Sequence, residues 1–419
     1  MSNARKHQRR TNRTTGLRGD SASPVGVRDT SRDSNAENKR AILWYSNAPW
    51  SATGYGQQTA QAIKRLKADK HKVAVAANYG FEGGTTNWQG FPIYPKGVTP
   101  YSDDVTVAHY LQWASENKDL NPLLVTLFDV WVFKSPSFDA VPRILSWTPI
   151  DHTPTPPAVL KWCMRPNVTT LAMSKFGLDM LHRAGVDAFY VPHGIEAIYK
   201  PTKDVQGITG RQLMDVPEDA YVVMMNSANK GNSPPRKAFG ENLLAFAVFQ
   251  RNHPDAFLYM HCEKVSPTGV NLPELAKAVG IPDDRIKFAD SYAMRNGMPI
   301  EVMPCLYSAA DVLLAVSMGE GFGIPVIEAQ ACGTRAITSN QTAQPELNGH
   351  GWMVDCQPFW DNAQSSFFHT PYVQEIVAAL EESYQSRQAV HTASINFASE
   401  YNADTVFEKY WKPVMAVAE

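Results

Sequence analysis

The most informative stretch of this sequence reads Ser317-Met318-Gly319-Glu320-Gly321-Phe322-Gly323-Ile324-Pro325-Val326-Ile327-Glu328-Ala329-Gln330-Ala331-Cys332-Gly333. It follows an apolar run, residues 312–316, that predicts a buried strand. Pro325 is the residue type favoured at the first position of a helix. Gly321 and Gly323 leave backbone N–H groups bare where the helix dipole is positive, which favours a bound phosphate. The stretch therefore predicts a strand, a glycine turn and a helix that begins at an anion site.

Two glutamates flank this turn. Glu320 precedes the predicted helix and Glu328 lies within it. A carboxylate accepts hydrogen bonds from sugar hydroxyls, often two at once. One glutamate on a hexose and one on a ribose, with phosphates at the glycines between them, fits a nucleotide-sugar. The alternative is a plain strand–turn–helix with an exposed glutamate.

The same residues resemble the Glu-x7-Glu signature of retaining GT-B glycosyltransferases, most closely those of glycosyltransferase family 4. Members commonly carry a Glu-Gly-Phe-Gly, a Glu-Ala and a later glycine, which here are Glu320–Gly323, Glu328-Ala329 and Gly333. The resemblance implies that Glu320 contacts the transferred sugar and that Glu328 contacts the ribose of the donor nucleotide. It also assigns Gly321, Phe322 and Gly323 to the donor site.

A basic loop before the predicted helix at Glu241 adds to this resemblance. The family usually places an arginine and a lysine here, against the donor diphosphate. Lys237 matches the lysine, whereas Asn232 stands at the place of the arginine, so Lys230 or Arg236 is expected to substitute. Such cations offset the charge that grows on a leaving diphosphate. The alternative is a basic loop that only faces water.

Gly54 and Gly56, between the first predicted strand and its helix, resemble the family's glycine-rich loop. That loop lets the backbone approach the acceptor and the donor phosphate. Gln57 and Gln58 follow at the helix start, where they hydrogen-bond a sugar or face water.

His152 follows another predicted strand of the same region, so it is expected to face the ligand cleft. Retaining members of the family often have such a histidine near the sugar, which makes His152 a catalytic candidate. Asp151 beside it is expected to orient it or to bind an acceptor hydroxyl. Second candidates are His109 and Asp129, and His193 is expected to have a structural role.

Length and composition predict a folded protein of two domains. The chain has 419 residues, of which 44% are hydrophobic and 19% charged. These values exclude a wholly disordered chain, a collagen-like repeat and a coiled coil. Domains usually hold about 100–200 residues. The formal net charge of −2 gives no general sign of nucleic-acid binding.

Apolar runs alternate with helical spacing from residue 41 to 191, and the pattern restarts over residues 221–338. Such alternation predicts parallel, doubly wound sheets. In the helix predicted at 241–251, the residues expected to point inward are Leu244, Ala247 and Val248. Ligands of open α/β sheets bind beyond the carboxyl ends of the strands, so the site is expected in a cleft between two such domains.

The expected architecture is therefore α/β of the GT-B type, with two Rossmann-like domains facing each other across a cleft. The N-terminal acceptor domain is placed at residues 39–194 and the C-terminal donor domain at 195–400. The resemblance implies that the last helix, residues 401–419, returns to the N-terminal domain.

Residues 1–38 are interpreted as a disordered basic tail. Residues 1–40 hold ten Lys and Arg against four Asp and Glu, and the tail has too few apolar residues to offset its ordering entropy. It contacts an anionic surface or nucleic acid, or it is a solubilising extension or a cloning remnant.

The resemblance implies a retaining hexosyltransferase that moves a sugar from a UDP- or GDP-sugar to an acceptor hydroxyl of a glycan, a protein or a small molecule. No Asp-x-Asp motif stands in a suitable place, so a metal-independent reaction without a further cofactor is expected. Two alternatives stay open: a nucleotide-sugar epimerase of the same architecture, and a non-catalytic protein that binds sugar nucleotides.

Cysteine usage and hydropathy predict a cytoplasmic location. The five cysteines are widely spaced and form no CxxC pair, which favours a reducing compartment. No apolar run reaches the ~18 residues of a membrane helix, and the N-terminus has no apolar core of a signal peptide.

No specific nucleic-acid partner is expected. The sequence leaves open the donor base and sugar, the acceptor, the linkage and the oligomeric state.

Overall fold

A computed structural model describes residues 39–231, 234–388 and 390–417. The predictions made for the tail at 1–38 and for Asn232 lie outside these residues. Two parallel sheets organise the described chain. Each sheet has a hydrophobic cluster of its own, and a further cluster contains residues of both sheets.

The first sheet, which we call the N-terminal sheet, has the strand order β3-β4-β2-β1-β5-β6-β7-β8. Its strands are β1 (Ala41–Asn47), β2 (Lys72–Asn78), β3 (Thr86–Trp88), β4 (Phe91–Tyr94), β5 (Leu123–Leu127), β6 (Ile144–Thr148), β7 (Val168–Ala172) and β8 (Ala188–Tyr190). Its helices are α1 (Gly54–Ala68), α2 (Thr106–Glu116), α3 (Pro157–Cys163) and α4 (Lys175–Arg183). All neighbouring strands are parallel except β3 and β4.

Strand β1 shows why this sheet forms. All seven of its residues are buried, as expected for a central parallel strand with helices on both faces. Ile42 and Trp44 belong to one hydrophobic cluster, and Leu43 and Tyr45 belong to another. The uninterrupted apolar run therefore fills two cores at once.

After the short strands β9 (Asp204–Val205) and β10 (Ile208–Thr209), the C-terminal sheet has the order β13-β12-β11-β14-β15-β16. All of its pairings are parallel. Its strands are β11 (Tyr221–Asn226), β12 (Ala256–His261), β13 (Ile286–Phe288), β14 (Val312–Leu314), β15 (Ala336–Ser339) and β16 (Trp352–Val354). Its helices are α5 (Gly210–Leu213), α6 (Phe239–Gln250), α7 (Leu272–Val279), α8 (Ser291–Asn296), α9 (Val302–Ala309), α10 (Ile324–Ala331), α11 (Gln344–Leu347) and α12 (Val373–Gln385).

An antiparallel hairpin, β17 (Cys356–Asp361) and β18 (Ser366–Pro371), leaves this sheet between β16 and α12. The sequence pattern did not predict it. Its tip turns towards the N-terminal sheet, because Phe367 forms a β-bridge with Thr153 in the loop after β6.

The C-terminal segment returns to the N-terminal sheet, as predicted. It comprises α13 (Thr392–Ala398), α14 (Ala403–Val406), a π-helical turn (Phe407–Trp411) and α15 (Lys412–Val417). The Trp411 ring lies 5.6 Å from that of Trp44 and 4.9 Å from that of Trp147, measured between ring centroids. These contacts and the two doubly wound sheets confirm the predicted α/β architecture.

One prediction about packing is wrong. In α6, Ala247 is buried as predicted, but Leu244 and Val248 are 40% and 37% exposed. The buried side chains include Leu243, Phe246 and Phe249. The helix is apolar around most of its circumference, so periodicity alone did not identify the stripe that faces the sheet.

Within the described ranges, no helix combines the length and the apolar character needed to cross a membrane.

The Trp411 contacts give a test of the returning segment. We expect Trp411→Ala to lower the free energy of unfolding by about 3–5 kcal/mol, because it empties a buried site between two other indoles. Chemical denaturation measures this, with Leu244→Ala on the exposed face of α6 as the control, expected within about 1 kcal/mol of the wild type. Equal losses in both variants would contradict the described packing.

Candidate functional site

Glycines bring the loop after β14 against the loop after β6. A Cβ on Gly319 would lie 2.1 Å from the backbone oxygen of Asp151, and one on Gly321 would lie 2.4 Å from Cβ of Pro149. Gly323, before α10, has a φ of 116° that side chains rarely adopt. Only glycine therefore allows the two sheets to meet at this loop, next to Glu320.

Glu320 is held by two cations and a hydroxyl. Arg236 Nη1 donates to its Oε2 at 2.9 Å, and Oε1 accepts from Lys237 Nζ and, at 2.8 Å, from Ser317 Oγ. The residue is only 8% exposed. Burial acts to raise its pKa, but the charges of Arg236 and Lys237 outweigh burial and lower the pKa to about 2. Glu320 is therefore a carboxylate at neutral pH.

Arg236 links this glutamate to the N-terminal sheet. Its Nη1 also donates to the backbone oxygen of Gly319, and its Nε lies 3.8 Å from Asp151 Oδ2. Its side chain is 31% exposed and that of Asp151 is 22% exposed, whereas that of Glu320 is 10% exposed. A ligand entering here would meet the guanidinium and the Asp151 carboxylate first.

His152 lies between two carboxylates. Its Nδ1 is 2.7 Å from Asp151 Oδ1, and its Nε2 is 3.2 Å from Asp361 Oδ2, on β17. The Phe368 ring of β18 stacks on the imidazole at 3.7 Å. Burial acts to raise the pKa of Asp151, but the hydrogen bond from His152 and the charge of Arg236 lower it. The structure therefore brings Asp151 and His152 together with Glu320, and it adds Asp361.

Glu328 has a different set of partners. It lies on α10, is 4% exposed and accepts a hydrogen bond from Tyr307 Oη at 2.7 Å and another from Tyr199. Burial raises its pKa, although the two tyrosine hydroxyls oppose this. Asn226, at the end of β11, donates to Tyr307 Oη at 2.6 Å. The alternative of an exposed glutamate is thus excluded, and sequence reasoning missed both tyrosines.

The glycine-rich loop after β1 opens α1. Thr53 caps this helix by accepting from Gly56 N at 3.1 Å. A Cβ on Gly56 would lie 2.3 Å from Ser51 Oγ, so this glycine is required by the turn itself. Gly54 is exposed, and a Cβ there would lie 3.3 Å from Cδ1 of Ile324, the first residue of α10. The N-termini of α1 and α10 therefore lie next to each other.

The structure contradicts both positions considered for Gln58, a hydrogen bond to a sugar and exposure to water. It is 2% exposed, and its Nε2 donates to the backbone oxygen of Gly194 at 2.8 Å. Its side chain therefore joins α1 to the segment that links the two sheets, and it neither contacts a sugar nor faces water. Gln57 is exposed.

Lys230 lies apart from the Glu320 cluster. It is exposed, and its Nζ is 3.3 Å from the hydroxyl of Tyr79, in the loop after β2. Of the two residues expected to replace the family's arginine, Arg236 is therefore the one that contacts Glu320.

Two other candidates pack in the interior. Phe322 is 3% exposed, and its ring contacts those of His193 and Tyr401. His193 is 2% exposed against Trp147, and burial lowers its pKa to about 3, so it is neutral and structural as expected. His109 hydrogen-bonds the backbone oxygen of Pro95, outside the cluster described above.

Asp129, after β5, belongs to the same charged region. Burial and the neighbouring charge of Asp151 raise its pKa to about 6, although Arg236 and a hydrogen bond with Tyr55 oppose the shift. In the described part of the chain, no three His, Cys, Asp or Glu side chains are grouped so that they could hold a metal ion.

Comparison with known proteins gives a family match for one segment and structural neighbours for the fold. Residues 293–383, which contain Glu320 and Glu328, match the family Glycosyl transferases group 1. The solved structure of sucrose-phosphate synthase from Thermosynechococcus elongatus superposes with a TM-score of 0.68 and 15% identity, over 90% of this chain and 100% of that one. Anabaena Alr3699/HepE, solved in complex with UDP and glucose, superposes with a TM-score of 0.59 and 18% identity, over 90% and 99% of the two chains.

The chain has the GT-B fold. Its segment 293–383 is a glycosyl transferases group 1 segment. Among curated proteins, D-inositol 3-phosphate glycosyltransferase of Salinispora tropica is 32% identical over 154 residues, which are 34% of this chain and 30% of that protein. O-antigen chain mannosyltransferase B of Escherichia coli is 42% identical over 57 residues, 14% of this chain and 15% of that protein. The chain thus matches less than a third of the length of these relatives.

The raised pKa of Asp129 gives a pH-dependent test. Its folded pKa, about 6, lies above the unfolded value near 3.9, so ionisation destabilises the folded state as pH rises through that interval, by about 1.4 kcal/mol per pKa unit. Asp129→Asn removes this cost and keeps an acceptor for Tyr55. We therefore expect the variant to gain stability over the wild type as pH rises from about 4 to above 6.

Thermal melting at pH 4 and pH 7.5 measures this gain, with the exposed Asp119→Asn as the matched control. The same difference in Tm at both pH values would contradict the raised pKa.

Proposed function

We propose that this protein is a retaining glycosyltransferase that moves a sugar from a UDP- or GDP-sugar to an acceptor hydroxyl, without a metal ion. The observation that carries this proposal is the cluster of Glu320, Arg236, Lys237 and Asp151. It joins two cations and two carboxylates where the loops of both sheets meet.

The donor diphosphate would lie against Arg236 and Lys237 and the N-terminus of α10. Both cations have polar atoms near the cleft, with side chains 31% and 17% exposed. Backbone N–H groups at Gly321 and Gly323 add the positive end of the helix dipole. Glu328, fixed by two tyrosines, would bind the ribose hydroxyls.

Glu320 would hold the transferred sugar. Its carboxylate is fixed in place by three donors, yet a carboxylate has about four acceptor positions for hydrogen bonds. Because its charge persists at neutral pH, it would orient sugar hydroxyls and offset the positive charge that develops at the anomeric carbon.

The acceptor hydroxyl would attack from the face that the diphosphate leaves, which retains the anomeric configuration. The departing phosphate oxygen would take the acceptor proton, so no strong protein base is needed. Arg236 and Lys237 would offset the charge on the leaving group. Asp151 would orient the acceptor hydroxyl, because its carboxylate is the most exposed one in the cluster, and His152 would fix Asp151.

The names of the relatives support sugar transfer and leave the acceptor open. Those two curated proteins are an inositol phosphate glycosyltransferase and a mannosyltransferase. We propose a glycan, a protein or a small molecule as the acceptor of this chain. We place the reaction in the cytoplasm, since all five cysteines are free and four of them are buried.

A panel of nucleotide-sugars tests the proposal. The full chain is incubated with UDP- and GDP-sugars, with and without candidate acceptors, and the products are identified by mass spectrometry. We expect transfer or slow hydrolysis of one donor, with release of the nucleoside diphosphate. No turnover of any donor and no binding of UDP or GDP would overturn it, and isomerised donor without acceptor would show an epimerase instead.

Glu320→Gln separates catalysis from binding. We expect transfer to fall by about 100-fold or more, because the amide lacks the charge that offsets the developing positive charge. UDP or GDP affinity, measured by calorimetry, should be retained, since Arg236 and Lys237 lose a competing anion. The matched control is Glu382→Gln, on the exposed face of α12. An unchanged transfer rate would refute the role given to Glu320.

Glu328→Gln is expected to act mainly on donor binding. The amide still accepts from Tyr307 but binds two ribose hydroxyls less well, so the donor KM should rise by about 10-fold or more while kcat changes little. Steady-state kinetics with varied donor measure both. A loss confined to kcat would contradict a ribose contact.

A further inference from the structure

We propose that Asp361 is a positioning residue that acts through His152 on Asp151, and so controls how well the enzyme uses its acceptor. This inference rests on the proposed function. Asp361 lies 209 positions from His152 along the chain, on the β17–β18 hairpin of the opposite sheet.

Three side chains restrain the imidazole of His152. Asp151 and Asp361 face its two ring nitrogens, and the Phe368 ring covers one face. The whole residue is 3% exposed. Each ring nitrogen already has a carboxylate oxygen within hydrogen-bond distance, so neither is left for a sugar hydroxyl. His152 therefore serves Asp151 and does not bind substrate directly.

Asp151, His152 and Asp361 differ in exposure, and the difference shows which of them can contact a ligand. The side chain of Asp151 is 22% exposed, whereas those of His152 and Asp361 are 4% and 8% exposed. Asp151 Oδ1 is taken by His152, and Oδ2 points to the side of Arg236. Oδ2 is thus the atom available to an acceptor hydroxyl, and its position depends on the His152 bond.

Asp361 is itself fixed by the hairpin. Its Oδ1 accepts from Ala363 N at 3.0 Å, within the turn that joins β17 to β18. The hairpin is fastened to the loop after β6 by two backbone hydrogen bonds between Thr153 and Phe367, at 3.0 and 3.2 Å. A Cβ on Gly319 would lie 2.9 Å from Phe368, so the hairpin also packs against the Glu320 loop. It therefore forms a third wall of the site, beside both catalytic carboxylates.

A residue that holds a catalytic group in place is expected to affect the chemical step in which that group acts. For Asp361 this step is the transfer to the acceptor. Loss of Asp361 would leave His152 free to turn and Asp151 free to leave the acceptor hydroxyl. Donor binding uses Arg236, Lys237 and Glu328, which Asp361 does not contact in the described hydrogen bonds. The effect should therefore fall on transfer to the acceptor and spare donor binding and donor hydrolysis.

The experiment compares Asp361→Asn, Asp361→Leu and Asp361→Glu with the wild type, using the donor found in the nucleotide-sugar panel. We expect the ratio of transfer to donor hydrolysis to fall about 10-fold or more in the Asn and Leu variants, with unchanged affinity for UDP or GDP. The Glu variant should restore part of the ratio. The matched control is Phe359→Ala, an exposed residue of the same hairpin, which should behave as the wild type.

A double-mutant cycle with His152→Gln tests the route of the effect. If Asp361 acts through His152, Asp361→Asn should cause no further loss in that background, so the two losses are non-additive. Additive losses would overturn the proposal. A wild-type ratio of transfer to donor hydrolysis in both Asp361→Asn and Asp361→Leu would also overturn it. A parallel loss of donor affinity and Tm in every variant would show a purely structural role and overturn it too. No turnover in the wild type would count against the proposed function instead.

Discussion

The pairing of Glu320 with Arg236 and Lys237 is the interaction on which the rest of the site depends. A carboxylate that is 8% exposed loses most of its hydration, and removing a partner from a buried ion pair typically costs about 3–5 kcal/mol. Arg236 also lies 3.8 Å from a second carboxylate, that of Asp151, which the glycine loop allows to approach. The ion pairs of Glu320 therefore stand at the place where the loops of the two sheets meet.

The sequence predicted those features of the molecule that depend only on residues close together along the chain. The apolar run of β1, the turn before α10 and the adjacent Arg236 and Lys237 all carry their signal within a few residues. Glu320 follows a strand and precedes a helix, so its place at the carboxyl edge of the sheet was readable. The stripe that α6 buries was not readable, because an almost uniformly apolar helix has no distinct polar face.

Other parts of the site arise only from contacts between distant segments. Asp361 lies in a polar stretch without any motif, and its meeting with His152 depends on how a hairpin folds over the other sheet. Tyr199 and Tyr307 reach Glu328 from separate segments, and Gln58 is taken by the backbone of Gly194. Lys230 was predicted from its charge alone. Its Nζ lies 3.3 Å from the hydroxyl of Tyr79, apart from Glu320.

The central claim is that the cluster around Glu320 receives the diphosphate of a sugar nucleotide. A crystal structure of the full chain with bound UDP or GDP tests it most directly. The account requires phosphate oxygens at about 2.7–3.2 Å from Arg236 and Lys237, beside the N-terminus of α10, with the ribose at Glu328. A diphosphate bound elsewhere, with Arg236, Lys237 and Glu320 still paired as they are here, would contradict it.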